Sequence, residues 1–186
     1  MQKTPDVSAS IQNMFAQSTA VLAQPSVATF ERFEKRGTTQ QAYIYVLLAA
    51  LVAGAVAAIF APFHGYSFIG QLLSGVLGTL IGFGVFTGAV YGIGKALFKG
   101  TGTYPEVAYT FALFFVPLSV LGTLLGIIPL LQYLFNLLIA VVMVYFGFLA
   151  VQSSMNVRTN GEALGLAVLS GVAYAVVFGI IRWLFL

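Results

Sequence analysis

The chain contains no cysteine. Disulfides, thiol nucleophiles and cysteine-ligated zinc or iron–sulfur centres are thereby excluded. Charge is almost as scarce: Lys, Arg, Asp and Glu make up 7% of the 186 residues, against about 25% in a soluble domain. So few charges cannot cover a water-facing surface. The five acids are Asp6, Glu31, Glu34, Glu106 and Glu162, and none lies in the middle of an apolar run. A carboxylate within the membrane would mark a proton or ion relay. Catalysis needs a nucleophile, a base and an orienting group within reach. Neither pattern is present, so no enzyme is expected. His64, the only histidine, sits in APFHGYS with no acid or second His nearby in sequence. That is a poor start for a metal site. No metal or cofactor is expected, and a pH-sensitive role is the chemistry left to His64.

What the chain has instead is hydrocarbon. Its hydrophobic fraction is 60% and its mean hydropathy +0.98. Five apolar runs lie at roughly Gln41–Phe60, within Tyr66–Phe98, at Pro105–Ile128, at Leu130–Val151 and at Glu162–Phe185. Each supplies the ~20 apolar residues that cross a ~30 Å bilayer core. The predicted fold is all-α: a polytopic transmembrane bundle of five spans over residues 38–186, with an amphipathic helix before it. The second run has room for roughly 50 Å of helix, so it tilts or begins with an interfacial turn around Tyr66–Phe68. GIIPLL joins the third and fourth runs, and Gly126 and Pro129 predict a tight hairpin there.

Residues 1–24 read as a polar, partly disordered segment. Ile11, Met14, Phe15, Val21 and Leu22 allow a weak amphipathic helix within it. MQKTPDVSAS is no secretory signal, because the first apolar run begins only near Gln41. Residues 25–37, PSVATFERFEKRG, predict a better helix, with Pro25 in its first turn and Gly37 as its stop. Val27, Phe30 and Phe33 step along one side, and Glu31, Glu34 and Lys35 take the other. Two placements are open: in the headgroup layer with its phenylalanines down, or packed on the protein body. The first makes Phe30, Phe33, Lys35 and Arg36 a membrane-surface or partner-binding set.

The net charge of +3 and pI near 9.3 come without a basic cluster interleaved with aromatics, so nucleic acid is not an expected partner. The cations flank the spans, where anionic headgroups attract them. Lys3, Arg32, Lys35, Arg36, Lys95, Lys99 and Arg158 fall on alternate connections, and only Arg182 falls opposite. The positive-inside rule then predicts a cytoplasmic N-terminus and an external C-terminus.

Lys99–Ser119 reads KGTGTYPEVAYTFALFFVPLS. Gly100 and Gly102 are isolated and lack the Lys-Ser/Thr ending of a phosphate loop. Thr103 and Glu106 have the spacing of a capping box, and Pro105 suits a first helical position. Tyr104, Pro105 and Glu106 are therefore expected to form a structured inner loop. Lys95, at the inner end of span two, snorkels to headgroups or pairs with Glu106. Pro117 is expected to kink span three. GTGTYPEVAYTFALFFVP, with two spans before it and two after, resembles the Yip (Ypt-interacting protein) domain family. Gln24-Pro25, Thr29-Phe30 and the basic turn before span one resemble the entry to that domain. The resemblance covers residues 22–186. It implies a five-span membrane protein with a cytosolic N-terminus, of the small bacterial type and so in a bacterial cytoplasmic membrane. Eukaryotic members are linked to Rab-type GTPases and vesicle traffic. Their longer N-terminal region and loop signatures are not recognisable here, so a GTPase partner is not implied.

Small residues recur at helical intervals. Gly78 and Gly82, then Gly84, Gly88 and Gly92, mark span two; Gly171 and Gly179 mark span five; Ala50, Gly54 and Ala58 mark span one. Such faces let helices approach closely. They predict packing within one bundle, with a leftover face for a homo-oligomer. Gln132 and Asn136 are the intramembrane amides of span four, expected to bond across helices. The expected role is non-enzymatic: organising the bilayer, or docking other membrane proteins through the N-terminal helix and inner loops. The alternatives are a small channel or transporter acting as an oligomer, and an accessory subunit of a membrane complex.

Overall fold

The computed structural model describes residues 7–127, 132–157 and 159–185, the side chains of 64, 132 and 181–185 excepted. Seven α-helices follow one another: α1 (Val7–Ala23), α2 (Val27–Glu34), α3 (Thr39–Phe60), α4 (Phe68–Leu97), α5 (Tyr104–Leu125), α6 (Gln132–Met155) and α7 (Asn160–Phe185). A one-turn 3-10 helix, Ala61–His64, links α3 to α4. Helices α3 to α7 are long and apolar enough to span a membrane, so the fold is the predicted five-span bundle. The hairpin turn at Pro129, the Gln132, His64 and Arg182 side chains, and Arg158 lie outside the described residues.

The spans start where local chemistry says they start. Three begin with a threonine that caps the helix and an amide or acid three residues on. Thr38 Oγ1 accepts from the Gln41 N–H at 3.2 Å, and Gln41 Oε1 accepts from the Thr38 N–H at 2.9 Å. Glu106 Oε2 accepts from the Thr103 N–H at 2.7 Å, and Thr159 Oγ1 from the Glu162 N–H at 3.2 Å. These boxes satisfy amides that a helix leaves unpaired at its first turn. Because α3, α5 and α7 run the same way, all three boxes lie at one end of the bundle, here called the cap end. Helix α4 starts at Phe68 after a Ser67 cap, so Tyr66 and Ser67 precede it and its 30 residues run about 45 Å. Helix α5 runs on through Pro117.

Residues 7–23 form α1, the helix that the spacing of Ile11, Met14, Val21 and Leu22 allows, and Met14, Ser18 and Val21 are its buried side. Helices α1 and α2 pack on α5, and α2 packs most extensively on α6. Phe30 is fully buried, so it does not lie in the headgroup layer. Its ring meets Phe114 at 6.1 Å and Phe146 at 6.4 Å, both edge-on. Phe114 is ten residues along α5, about 15 Å from its start. Thus α2 is wedged between spans rather than laid over them.

The glycine faces pack only in part. Gly82 faces Tyr174 and Phe178 of α7, and Gly84 faces the Tyr43 hydroxyl. A Cβ at Gly78, Gly88, Gly92, Gly171 or Gly179 would meet nothing within 4 Å; these five do not serve as helix contacts. The face predicted on span one does pack: Ala50, Gly54 and Ala58 are buried, and Gly54 of α3 meets Gly75 of α4. A Cβ on Gly75 would sit 2.7 Å from the Gly54 Cα.

Candidate functional site

The α1–α2 cap is fixed by polar as well as apolar contacts. Ser18 Oγ and the Tyr45 hydroxyl of α3 share a hydrogen bond at 3.1 Å, and the Tyr109 hydroxyl of α5 donates to Gln17 Oε1 at 3.0 Å. Ser26 caps α2 by accepting from the Thr29 N–H at 3.2 Å. Gly37 leads from α2 to α3, and a Cβ there would overlap the Tyr109 ring.

Of the four residues predicted as a membrane-surface or partner-binding set, two are buried in the protein. Phe30 is in the aromatic core. Phe33 is also buried, with Arg32 at 5.1 Å and Arg36 at 5.5 Å from its ring centroid, a cation–π geometry. Lys35 and Arg36 are exposed, together with Glu31 and Arg32. Glu34, assigned to the outer side with Glu31, is buried: its Oε2 accepts from Ser153 Oγ of α6 at 2.6 Å. The signal for this was present, because Glu34 follows Phe30 by four residues and so shares its helix face. Burial pushes the Glu34 carboxyl above its ordinary value, and the charges of Glu106 and Glu31 add to the rise. The Ser153 bond and Lys35 oppose it.

The expected inner loop is ordered for reasons of packing. Gly102 abuts the end of α6, where a Cβ would overlap the Ser154 carbonyl oxygen. The Thr101 N–H donates to the Met155 carbonyl at 3.1 Å. Lys99 takes a left-handed φ of 52° to make this turn. Lys95 does not pair with Glu106, whose carboxylate is used by the cap. Its Nζ donates to the Thr101 carbonyl at 3.3 Å and lies 5.8 Å from the Tyr91 ring centroid. Tyr104 is no loop residue. It opens α5 and turns its hydroxyl into the bundle, 2.8 Å from the Tyr43 hydroxyl and 3.3 Å from Thr87 Oγ1. Pro105 is exposed beside it.

Between the cap and the loops lies a polar cleft of about 890 Å3 that periodicity alone did not indicate. Helix α2 and its C-cap supply Glu31 and Lys35, the α4–α5 loop supplies Lys99, the end of α6 Gln152, the α6–α7 turn Asn156 and the start of α7 Glu162. It therefore carries two acids and two lysines. Gln152 Nε2 donates to Asn160 Oδ1 at 2.8 Å, which pins the α6–α7 turn. Of the predicted site residues, only Lys35 lines this cleft.

At the opposite end of the bundle Asn136 is exposed, and its Oδ1 lies 3.8 Å from where a Cβ of Gly126 would stand. It makes no hydrogen bond to a described residue, so the expected bond across helices is not found there.

The family model of the Yip1 domain matches residues 19–181 of the chain. No curated protein and no solved structure matches.

Proposed function

As the chain belongs to the Yip1 domain family, we propose that it is a non-enzymatic integral membrane protein that docks partners at the cytoplasmic face, the cap end of the bundle. The distribution of cations supports that orientation: by sequence, seven of eight Lys and Arg fall on the cap-end connections. The N-terminus is then cytoplasmic and the C-terminus external, in a bacterial cytoplasmic membrane. The partners are other membrane proteins or further copies of this chain.

The observation that carries this reading is the way α2 is held. Its inner face is buried in α5 and α6, and its outer face presents Glu31, Arg32, Lys35 and Arg36 beside a cleft walled by the inner loops. A rigid charged surface binds without an ordering cost, and complementary charge selects the partner and speeds encounter. Deleting α2 would also remove core side chains, so the test is charge reversal on exposed positions. The full-length Glu31→Lys, Lys35→Glu double variant is purified in mild detergent beside the native chain. Loss of the co-purifying membrane proteins, with an unchanged unfolding temperature, is the expected result. Recovery of the same proteins in the same amounts would remove the docking role from this face.

A further inference from the structure

The five spans do not close on one another everywhere. Among the described residues the backbone of α7 packs on α4 and reaches α6, but comes close to neither α3 nor α5. A half-open cavity of about 960 Å3 lies in the space left between them. Aromatic rings of α5 and α7, among them Phe114 and Tyr174, form part of its wall. Gly78 and Gly171 line it with open space where a Cβ would stand. Val144 on α6 and Leu164 and Val168 on α7 also line it, yet are 68%, 54% and 56% exposed. They form a rim, so the cavity opens sideways between α6 and α7, into whatever surrounds the spans.

The wall changes character along its length. Below, it is hydrocarbon, aromatic ring and glycine, apart from the Tyr174 hydroxyl and that of Thr79, which donates to the Gly75 carbonyl at 2.8 Å. Ser74, Ser119, Thr123 and Asn136 lie at the end away from the cap. They stand two to six residues from the ends of their helices, about 3–9 Å along the axis. None makes a side-chain hydrogen bond to a described residue. Hydroxyls and an amide of this kind donate to carbonyl oxygens. An apolar cavity does not retain water, and a volume of this size suits a bound organic molecule. The apolar stretch gives no polar lining for ions.

We propose that this cavity binds one membrane lipid: an acyl chain lies along the glycine-lined stretch, and the glycerol ester carbonyls meet the Ser74–Ser119–Thr123–Asn136 collar. The match is between a polar collar at one end of an apolar, laterally open slot and a molecule with the same order of parts. The glycines make the slot wide; they do not recognise the lipid. A helix from a second copy would fill the slot but leave the collar donors without carbonyl partners.

The test uses the full chain in lipid nanodiscs of phosphatidylethanolamine doped with an analogue bearing a diazirine on its acyl chain. After irradiation, adducts are mapped by mass spectrometry. Tyr174 lines the cavity, whereas Val172 and Val176, on the same helix, are exposed and outside it. Adducts at Tyr174 are expected to exceed those at Val176 at least fivefold. The Gly78→Leu, Gly171→Leu double variant fills open space, and it is expected to bring Tyr174 down to the Val176 level while Val176 is unchanged. Asn136→Leu with Thr123→Val is expected to lower the lipid that stays bound through purification at least threefold. Equal labelling of Tyr174 and Val176 in the native chain overturns the proposal without reference to any variant. So does Tyr174 labelling that survives filling, or a cavity found cross-linked to a second copy instead of lipid.

Discussion

Phe30→Ala tests whether α2 belongs to the protein or to the membrane surface. Phe30 is fully buried, with edge-on contacts to Phe114 and Phe146. Emptying such a site costs about 3–5 kcal/mol, of which the two ring pairs supply about 0.5–1.5 kcal/mol each. The loss falls on the attachment of α2, because the rings it leaves still pack on one another, Phe114 on Phe146 at 5.9 Å. Detachment of the cap is therefore the affected equilibrium, and amide hydrogen exchange in α2 is the assay. At about 1.4 kcal/mol per decade, exchange of the α2 amides is expected to accelerate by roughly two to four orders of magnitude. Amides of α4, which does not pack on α2, should change little. A helix lying in headgroups would lose only some partitioning, and its amides would already exchange fast. An acceleration of less than tenfold in α2 refutes the wedge.

Glu34→Gln isolates a pH effect. The folded chain raises the Glu34 pKa from its ordinary 4.5, so the protonated form is favoured by folding. Its contribution is full below the ordinary value and is lost as pH rises through the raised one. The unfolding temperature of the native chain should fall relative to that of the Gln variant as pH rises above the ordinary carboxyl range; parallel curves would sink the buried-acid assignment. Gly102→Ala places a methyl group on the Ser154 carbonyl and should cost about 1–3 kcal/mol through backbone displacement. Gly92→Ala, an exposed helical site with open space, should stay within about 0.5 kcal/mol of the native chain or gain slightly. Thermal unfolding of the pair, side by side, decides whether close packing or mere helix composition governs these glycines.

The five spans were legible because twenty apolar residues in a row have few other fates, and the capping box at Thr103 and Glu106 because caps are local. The destination of α2 was not. A short helix with phenylalanines on one side and charge on the other suits a headgroup layer and a protein groove equally well. Only the tertiary arrangement of α5 and α6 chooses between them. The same limit explains Glu34, whose i, i+4 relation to Phe30 was visible but whose partner Ser153 lies 119 positions away. Tyr104 looked like part of a polar loop because its neighbours are polar; its ring and hydroxyl are placed by Tyr43, Thr87 and Tyr91. Spacing of small residues reports where a helix face is smooth. It does not report what lies against that face. Gly82 meets α7, whereas Gly78, four residues earlier on α4, meets open space.

Phe114 connects the two unusual regions of this bundle. One side of its ring contacts Phe30 of the cap, and it also lines the intramembrane cavity. From it, ring contacts continue through Phe111 at 5.3 Å and Phe86 at 5.6 Å to Tyr174 at 6.1 Å. The wall that holds α2 in place is thus continuous with the wall that faces α7 across the slot. Close-packed rings transmit strain to one another. The cap half of the wall is backed by α1 and α2, so its rings have partners on both sides. In the slot half Phe111, Phe86 and Tyr174 also line the cavity, so whatever enters between α6 and α7 meets the same rings. The stability of the cap and the occupancy of the slot accordingly bear on the same few aromatic side chains.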